Sequence, residues 1–282
     1  MKLVGIFFVF AAMAWPWLEL RAEIRSKVDW FEAAKFIDEN EVLTGFLPKV
    51  SVRFPDLTIA DAYLIQDRFI APKNKQSLVA GYKAGFTSEK GRETFGLRHP
   101  VSGVLHEGCR YKNGVSISLR DHPGLMLELE LGFRIEKAII KRPDALEDLD
   151  GFVSPGFPVI ELPKIRFRSL EGLTGIDLVS VNMASACWIE SEFLDEKDTK
   201  AYDLLEVSLY LNEKLIDSGL AGDVNGPRQA LLWLIRHLHD RNIGLGKGLL
   251  LLTGKIGKIN QAKPGEYMAI YGDDSIKFQI RP

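Results

Sequence analysis

Residues 125–135 read LMLELELGFRI. Side chains of a β-strand alternate between its two faces, so Leu127, Leu129, Leu131 and Phe133 share one face while Glu128 and Glu130 share the other. The run is therefore a strand with one apolar face and two carboxylates pointing together. Like charges at that spacing repel and raise one pKa unless a cation lies between them, and oxygen donors alone select hard ions such as Mg²⁺, Mn²⁺ or Ca²⁺. Taken alone, most Glu-x-Glu pairs on a strand are its solvent face.

Outward from this strand, period two extends over Leu78 to Ile140, with short apolar runs broken by Gly81, Gly85, Gly103, Gly114 and Gly124. That pattern predicts strands joined by turns. Further strands are predicted over Phe157 to Leu162, Leu204 to Leu211, Leu249 to Thr253, Tyr267 to Tyr271 and Ser275 to Ile280. Helical spacing appears in three places. Val28 to Glu39 carries Phe31, Ala34 and Phe36 among charges. TIADAYLIQDRFIAP opens with a Thr58-x-x-Asp61 capping box and is expected to end at Pro72. QALLWLIRHLHD is amphipathic, with Pro227 suited to its first turn and Gly244 expected to close it. Mixed strands with few helices predict an α+β chain whose core is a sandwich or roll, with the N-terminal helices as a cap.

The composition is that of a globular chain able to bury a full core: 46% of 282 residues are hydrophobic and 26% charged. Lys and Arg number 36 against 38 Asp and Glu, a net charge of -2 that gives no electrostatic case for a nucleic-acid partner. Lys2 followed by an apolar run from Leu3 to Ala14 reads as a secretory signal, too short to span a bilayer, which takes about 20 residues. Cleavage is expected after Ala14 or Ala22, leaving a secreted or periplasmic protein without a stable membrane anchor. The organisation is then 1–22 signal peptide, 23–75 helical cap and 76–282 catalytic body. Only Cys109 and Cys187 are present, so the chain is no disulfide scaffold; they allow one bridge, but two buried thiols are the expected state.

Two more residues stand out chemically. Glu161 in FPVIELPKI is a single acid in a strand apolar on both sides, and a buried carboxylate wants a partner. Lys83 in VAGYKAGFTS is the same puzzle with opposite sign. A structural ion pair between Lys83 and one of the glutamates would account for both without any function. No GxGxxG, Walker loop or GxSxG occurs, and the histidines lack zinc spacing. They read as surface or structural residues, with His122, six residues before Glu128, a candidate for lining the site.

The order of these segments resembles the 2-keto-4-pentenoate hydratase and oxalocrotonate decarboxylase branch of the fumarylacetoacetate hydrolase superfamily. ADAYLIQ is similar to that family's DAYxIQ helix, GYKAGFTS to its G-x-K-I-G-L-T-S strand and HPVSGVL to its P-D-x-G-x-L turn. LELELGF matches E-x-E-I-A-F, and PVIELPKIR is similar to P-x-[IL]-E-[IL]-x-D-S-R. VSVNMASA resembles A-D-N-A-S, WLIRHL the WLAN helix and GLLLLTG the G-D-x-I-L-T-G strand, so the likeness runs from Thr58 to Pro282. The resemblance implies a mixed β-sandwich roll, usually assembled into homo-oligomers. It implies that Glu128, Glu130 and Glu161 bind a divalent cation, Mg²⁺ or Mn²⁺ rather than Ca²⁺, that Lys83 is catalytic, and that Ser88 and Asn182 line a pocket for a short 2-oxo acid. The implied reaction is that of a lyase, a hydratase or decarboxylase. Family Asp positions are filled here by Val101, Lys164, Val181 and Leu249, which supports the alternative of a noncatalytic protein retaining the metal and oxo-acid pocket.

Overall fold

The computed structural model describes residues 15–191, 199–223 and 226–282; the apolar run Leu3 to Ala14 lies outside them. Helices α1 (Trp15–Thr44), α2 (Val50–Arg53) and α3 (Ile59–Gln76) precede β1 (Val79–Gly85), α4 (Glu89–Thr94) and β2 (Val101–His106). There follow β3 (Arg110–Lys112), β4 (Ser116–Ser118), β5 (Met126–Arg134), β6 (Phe157–Leu162), α5 (Gly175–Ser180) and β7 (Cys187–Glu190). The chain continues through β8 (Glu206–Leu211), β9 (Lys214–Leu220), α6 (Pro227–Asp240), β10 (Leu250–Leu252), β11 (Ile256–Gln261), β12 (Gly265–Tyr271) and β13 (Asp274–Arg281). Among the described residues no helix is long and apolar enough to cross a membrane.

The strands form two sheets, as an α+β roll requires. One runs β2-β1-β10-β5-β6-β7-β3 with β11 also paired to β5, and the other runs β4-β13-β12-β8-β9. The apolar face of β5, Leu127 to Phe133, packs into one core with Val207 and Leu209 of β8, Tyr267 and Ala269 of β12 and Leu231, Leu234 and Ile235 of α6. Burying each such leucine fully contributes about 1.5–3 kcal/mol. A second apolar cluster joins Ala33, Ala34 and Ile37 of α1 to Ala62 and Ile65 of α3, Leu178 and Val179 of α5, and Val101 of β2. The N-terminal helices thus share a core with the body they cover.

Local signals explain most of the boundaries. The Thr58 capping box forms, with Asp61 N–H donating to Thr58 Oγ1 (3.2 Å) and Thr58 N–H to Asp61 Oδ2 (2.9 Å). Pro72 does not end α3, which continues to Gln76. The proline is exposed, so the Arg68 carbonyl it deprives of an N–H can turn to water. Pro227 opens α6 as expected, but Gly244 does not close it. Asn242 takes the left-handed conformation (φ 57°), and Ile243 N–H donates to Leu238 O (2.9 Å), completing the C-cap two residues earlier.

The two cysteines are not free thiols: Cys109 and Cys187 form a disulfide, their α-carbons 4.6 Å apart. The reason is the parallel pairing of β3 with β7, which sets Arg110 opposite Trp188 and so brings the preceding residues together. That bridge closes a loop of 78 residues. Removing a bridge of this kind typically costs about 2–5 kcal/mol. Denaturant unfolding should therefore show a lower midpoint in a phosphine reductant than without it, and the double variant Cys109→Ser/Cys187→Ser should match the reduced protein in either buffer.

Candidate metal centre and active site

The candidate site grows from the polar face of β5. Antiparallel pairing sets Glu128 directly opposite Glu161 of β6, and by alternation Glu130 follows on the same face. On the other side of β5 the edge is shared by two strands, β10 pairing with Gly132 to Arg134 and β11 with Met126 to Leu129. Thr253 N–H still donates to Leu131 O (3.3 Å), but Gly254 and Lys255 leave the ladder, and Gly254 N–H donates to Glu130 Oε2 (2.9 Å). Gly254 is required there: its φ is +96°, and a Cβ would stand 2.8 Å from Thr87 Oγ1.

Lys83 on β1 completes the cluster. Its partner across the parallel β1–β10 ladder is Leu252, and from that position its chain passes the short β10 to bring Nζ within 2.5 Å of Glu161 Oε1. Gly103 on β2 leaves the room for it, since a Cβ there would meet Lys83 Cγ at 3.3 Å and the Asn182 carbonyl at 3.1 Å. The structural ion pair anticipated from the sequence is thus present. Yet it uses one carboxylate of three.

Ligand oxygens of Glu128, Glu130 and Glu161 lie within 4.8 Å of one another. Glu130 and Glu161 are 0% exposed, which rules out the solvent-face reading of the Glu-x-Glu pair. Glu130 Oε1 and Glu161 Oε2 are buried without any hydrogen-bond partner. Desolvation, then the charge of Glu161, push Glu128 up to about 7 against the pull of Lys83 and Lys255. Glu130 is raised well above the carboxylate range by desolvation, Glu161 and Glu128. Burial alone would lower Lys83, but Glu161, Glu128 and Glu130 outweigh it and hold the ammonium above the ordinary lysine range. With all three acids ionised, Lys83 alone would leave two negative charges in excess inside the cluster, and two oxygens are unsatisfied. A divalent cation fits that deficit in charge, in donor type and in number of free oxygens.

Two other sequence candidates have their polar groups committed to the backbone. Ser88 is the N-cap of α4, its Oγ accepting from Gly91 N–H (3.1 Å). The Asn182 amide bonds Val104 twice, accepting from its N–H (2.7 Å) and donating to its carbonyl (2.9 Å). Asn182, Met183 and Ala184 form a left-handed turn (φ 60°, 55° and 54°) that lies over Gly103. His122 packs on Tyr111, with its Nε2 3.2 Å from the phenol oxygen. Sequence reasoning missed the roles of the Gly254 N–H, which ends the GLLLLTG segment, and of Lys255, which follows it.

No family model matches the chain. The chain is 24% identical over 248 residues to a 2-oxo-hept-4-ene-1,7-dioate hydratase of Escherichia coli, covering 85% of this chain and 93% of that protein. It is 24% identical over 245 residues to a 4-oxalocrotonate decarboxylase of Pseudomonas putida, covering 84% and 90%. The solved 4-oxalocrotonate decarboxylase from Pseudomonas putida G7, complexed with magnesium and adipate, superposes with a TM-score of 0.81 at 22% identity over 90% of this chain and 98% of that one. The same enzyme complexed with calcium and acetate gives 0.78 at 22% identity, again over 90% and 98%. A fumarylacetoacetate hydrolase family protein from Yersinia pestis gives 0.53 at 13% identity over 71% and 92%. The chain carries the fumarylacetoacetate hydrolase fold and is a relative of the hydratases and decarboxylases of the 2-keto-4-pentenoate hydratase and oxalocrotonate decarboxylase branch.

Proposed function

We propose that the chain is a divalent-cation-dependent lyase that adds water to, or removes carbon dioxide from, a short 2-oxo acid, and that it works outside the cytoplasm. The observation that carries this reading is the convergence of Glu128, Glu130 and Glu161, the last two fully buried, with two orphaned oxygens and carboxyls that burial and mutual repulsion push up. The names of the relatives and the magnesium in the similar decarboxylase support it. Bound to the three carboxylates, the cation would supply the positive charge against which an enolate can develop from the 2-oxo acid. Glu128 is the most solvent-accessible of the three. Lys83, held in the charged form by the acids, is placed to bind the substrate carboxylate and to hold or deliver a proton at Nζ. Lys255, exposed beside Glu128, offers a second cation to an incoming carboxylate. Disulfide pairing of Cys109 with Cys187 supports the exported location.

One observation favours the alternative, a noncatalytic binder of metal and oxo acid. Val101 and Val181, at two positions where the family motifs carry Asp, sit in one apolar cluster with Leu97, Val179 and Met183. No proton can be moved from that wall.

In metal-stripped protein, Glu128→Gln should raise the melting temperature, because it removes repulsion that nothing offsets; saturating Mg²⁺ should stabilise wild type by about 2–3 kcal/mol at a hundredfold excess over Kd and the variant far less. Equal Mg²⁺ shifts in both proteins would end the metal assignment. A turnover screen of 2-oxo acids with Mg²⁺ or Mn²⁺, followed by ultraviolet absorbance, decides between enzyme and binder. For an enzyme, Lys83→Met should lower kcat by about 10²–10⁴-fold while the fold persists. Mass spectrometry of protein purified from its native compartment should find an N-terminus at Trp15 or Glu23; intact Met1 would refute export.

A further inference from the structure

A second charged cluster, of opposite sign, occurs away from the glutamates. A cavity of about 470 Å³ opens where the N-terminal helices meet the body. Lys73 of α3, Lys164 and Arg166 line it together with His106, Asp121 and Ala184. Lys164 lies three residues beyond Glu161 and bridges Leu125, which belongs to the apolar face of β5. By strand alternation it therefore stands on the face opposite Glu161. This cavity is not the mouth of the acidic cluster.

We propose that this cavity binds a small, doubly charged anion, a dicarboxylate or a phosphate, independently of the acidic cluster. Arg166 already has a partner, Glu41 (2.5 Å), on the cap. Among the described residues Lys73 and Lys164 have no ion-pair partner, and Asp121 is the only acid in the cavity wall. Desolvation and the charges of Arg166 and Lys73 hold the Lys164 ammonium below its ordinary range. Lys73 is lowered by desolvation and by Arg166, and His106 by burial and by Lys73. These cations repel one another across a shared space; Glu41 and Asp121 offset part of that repulsion, and an anion held between Lys73 and Lys164 would offset the rest. The volume suits a small metabolite, and an Arg with two Lys is a donor set suited to carboxylate or phosphate oxygens. Lys164 occupies a position where the motif PVIELPKIR departs from an acid, so the positive character of the cavity is a property of this chain's own sequence.

The test is calorimetric titration of full-length mature protein, stripped of metal on a chelating resin, with malonate, inorganic phosphate and acetate at matched ionic strength. The expected result is one saturable site for malonate, phosphate or both, at least tenfold tighter than for acetate. Lys164→Asp and Lys73→Met should each weaken it tenfold or more, and Lys83→Met should leave it unchanged. Which dianion wins identifies the source of the ligand. If Lys164→Asp unfolds the protein, the exposed Lys73→Met gives the reading. Equal affinity for acetate, no saturable binding, or loss in Lys83→Met with retention in Lys164→Asp would overturn the proposal. So would sedimentation showing that Lys164→Asp abolishes self-association of the wild type, because a second copy would then be what covers the cavity.

Discussion

Three carboxylates and one ammonium are packed together where water cannot reach most of them, and the rest of the structure is arranged around that constraint. Carboxylates so placed repel, and burial adds to the cost of keeping them charged. The fold meets part of the cost internally. Lys83 pairs with Glu161, and the Gly254 amide reaches Glu130 only because the strand edge beside β5 is broken between β10 and β11. A continuous strand there would have spent that amide in the ladder. What remains unsatisfied, one oxygen each on Glu130 and Glu161, is the part of the design that points outside the chain.

Much of this was legible in the sequence, and the physics says which part. Strand period fixes relative facing, so LMLELELGFRI was enough to put Glu128 and Glu130 together, and the apolar surroundings of Glu161 were enough to mark it as buried. Period does not give register. That Glu161 lies opposite Glu128 depends on the antiparallel pairing of β5 with β6, which only the resemblance to a family implied beforehand. The same gap explains the cysteines, whose meeting depends on the parallel pairing of β3 with β7 across 78 residues. Helix ends erred where exposure or an alternative cap decided the matter, at Pro72 and at Asn242. Ser88 and Asn182 were chosen by motif position; their polar atoms turn out to hold backbone in place.

Asn182 shows how such a residue serves the site through the backbone it holds. Three consecutive non-glycine residues in the left-handed region cost about 1–3 kcal/mol each. The turn persists because its surroundings hold it. Asn182 bonds Val104 twice, Ser185 Oγ bonds the same carbonyl (3.0 Å), and the Ala184 carbonyl accepts from Lys164 N–H (2.9 Å). The strain is offset by positioning: the turn closes over Gly103, and Gly103 is what lets the Lys83 chain pass.

The replacement of acids by Val101 and Val181 should be weighed against that economy. Both valines are nearly fully buried in the cluster that joins the cap to the body, so they stabilise the seam that an acid would have weakened. Lys164, by contrast, adds a charge that no ion pair offsets among the described residues. The changes at these positions therefore do not follow one direction toward greater stability, as drift in a protein released from binding work would allow. Stability accounts for the two valines and for Leu249, which packs against the main core, but not for Lys164. The three glutamates and Lys83 are held together at the cost of repulsion, and Lys164 adds repulsion where none was needed for folding. Charge held uncompensated on both faces of one sheet is what a protein built around small charged ligands would retain.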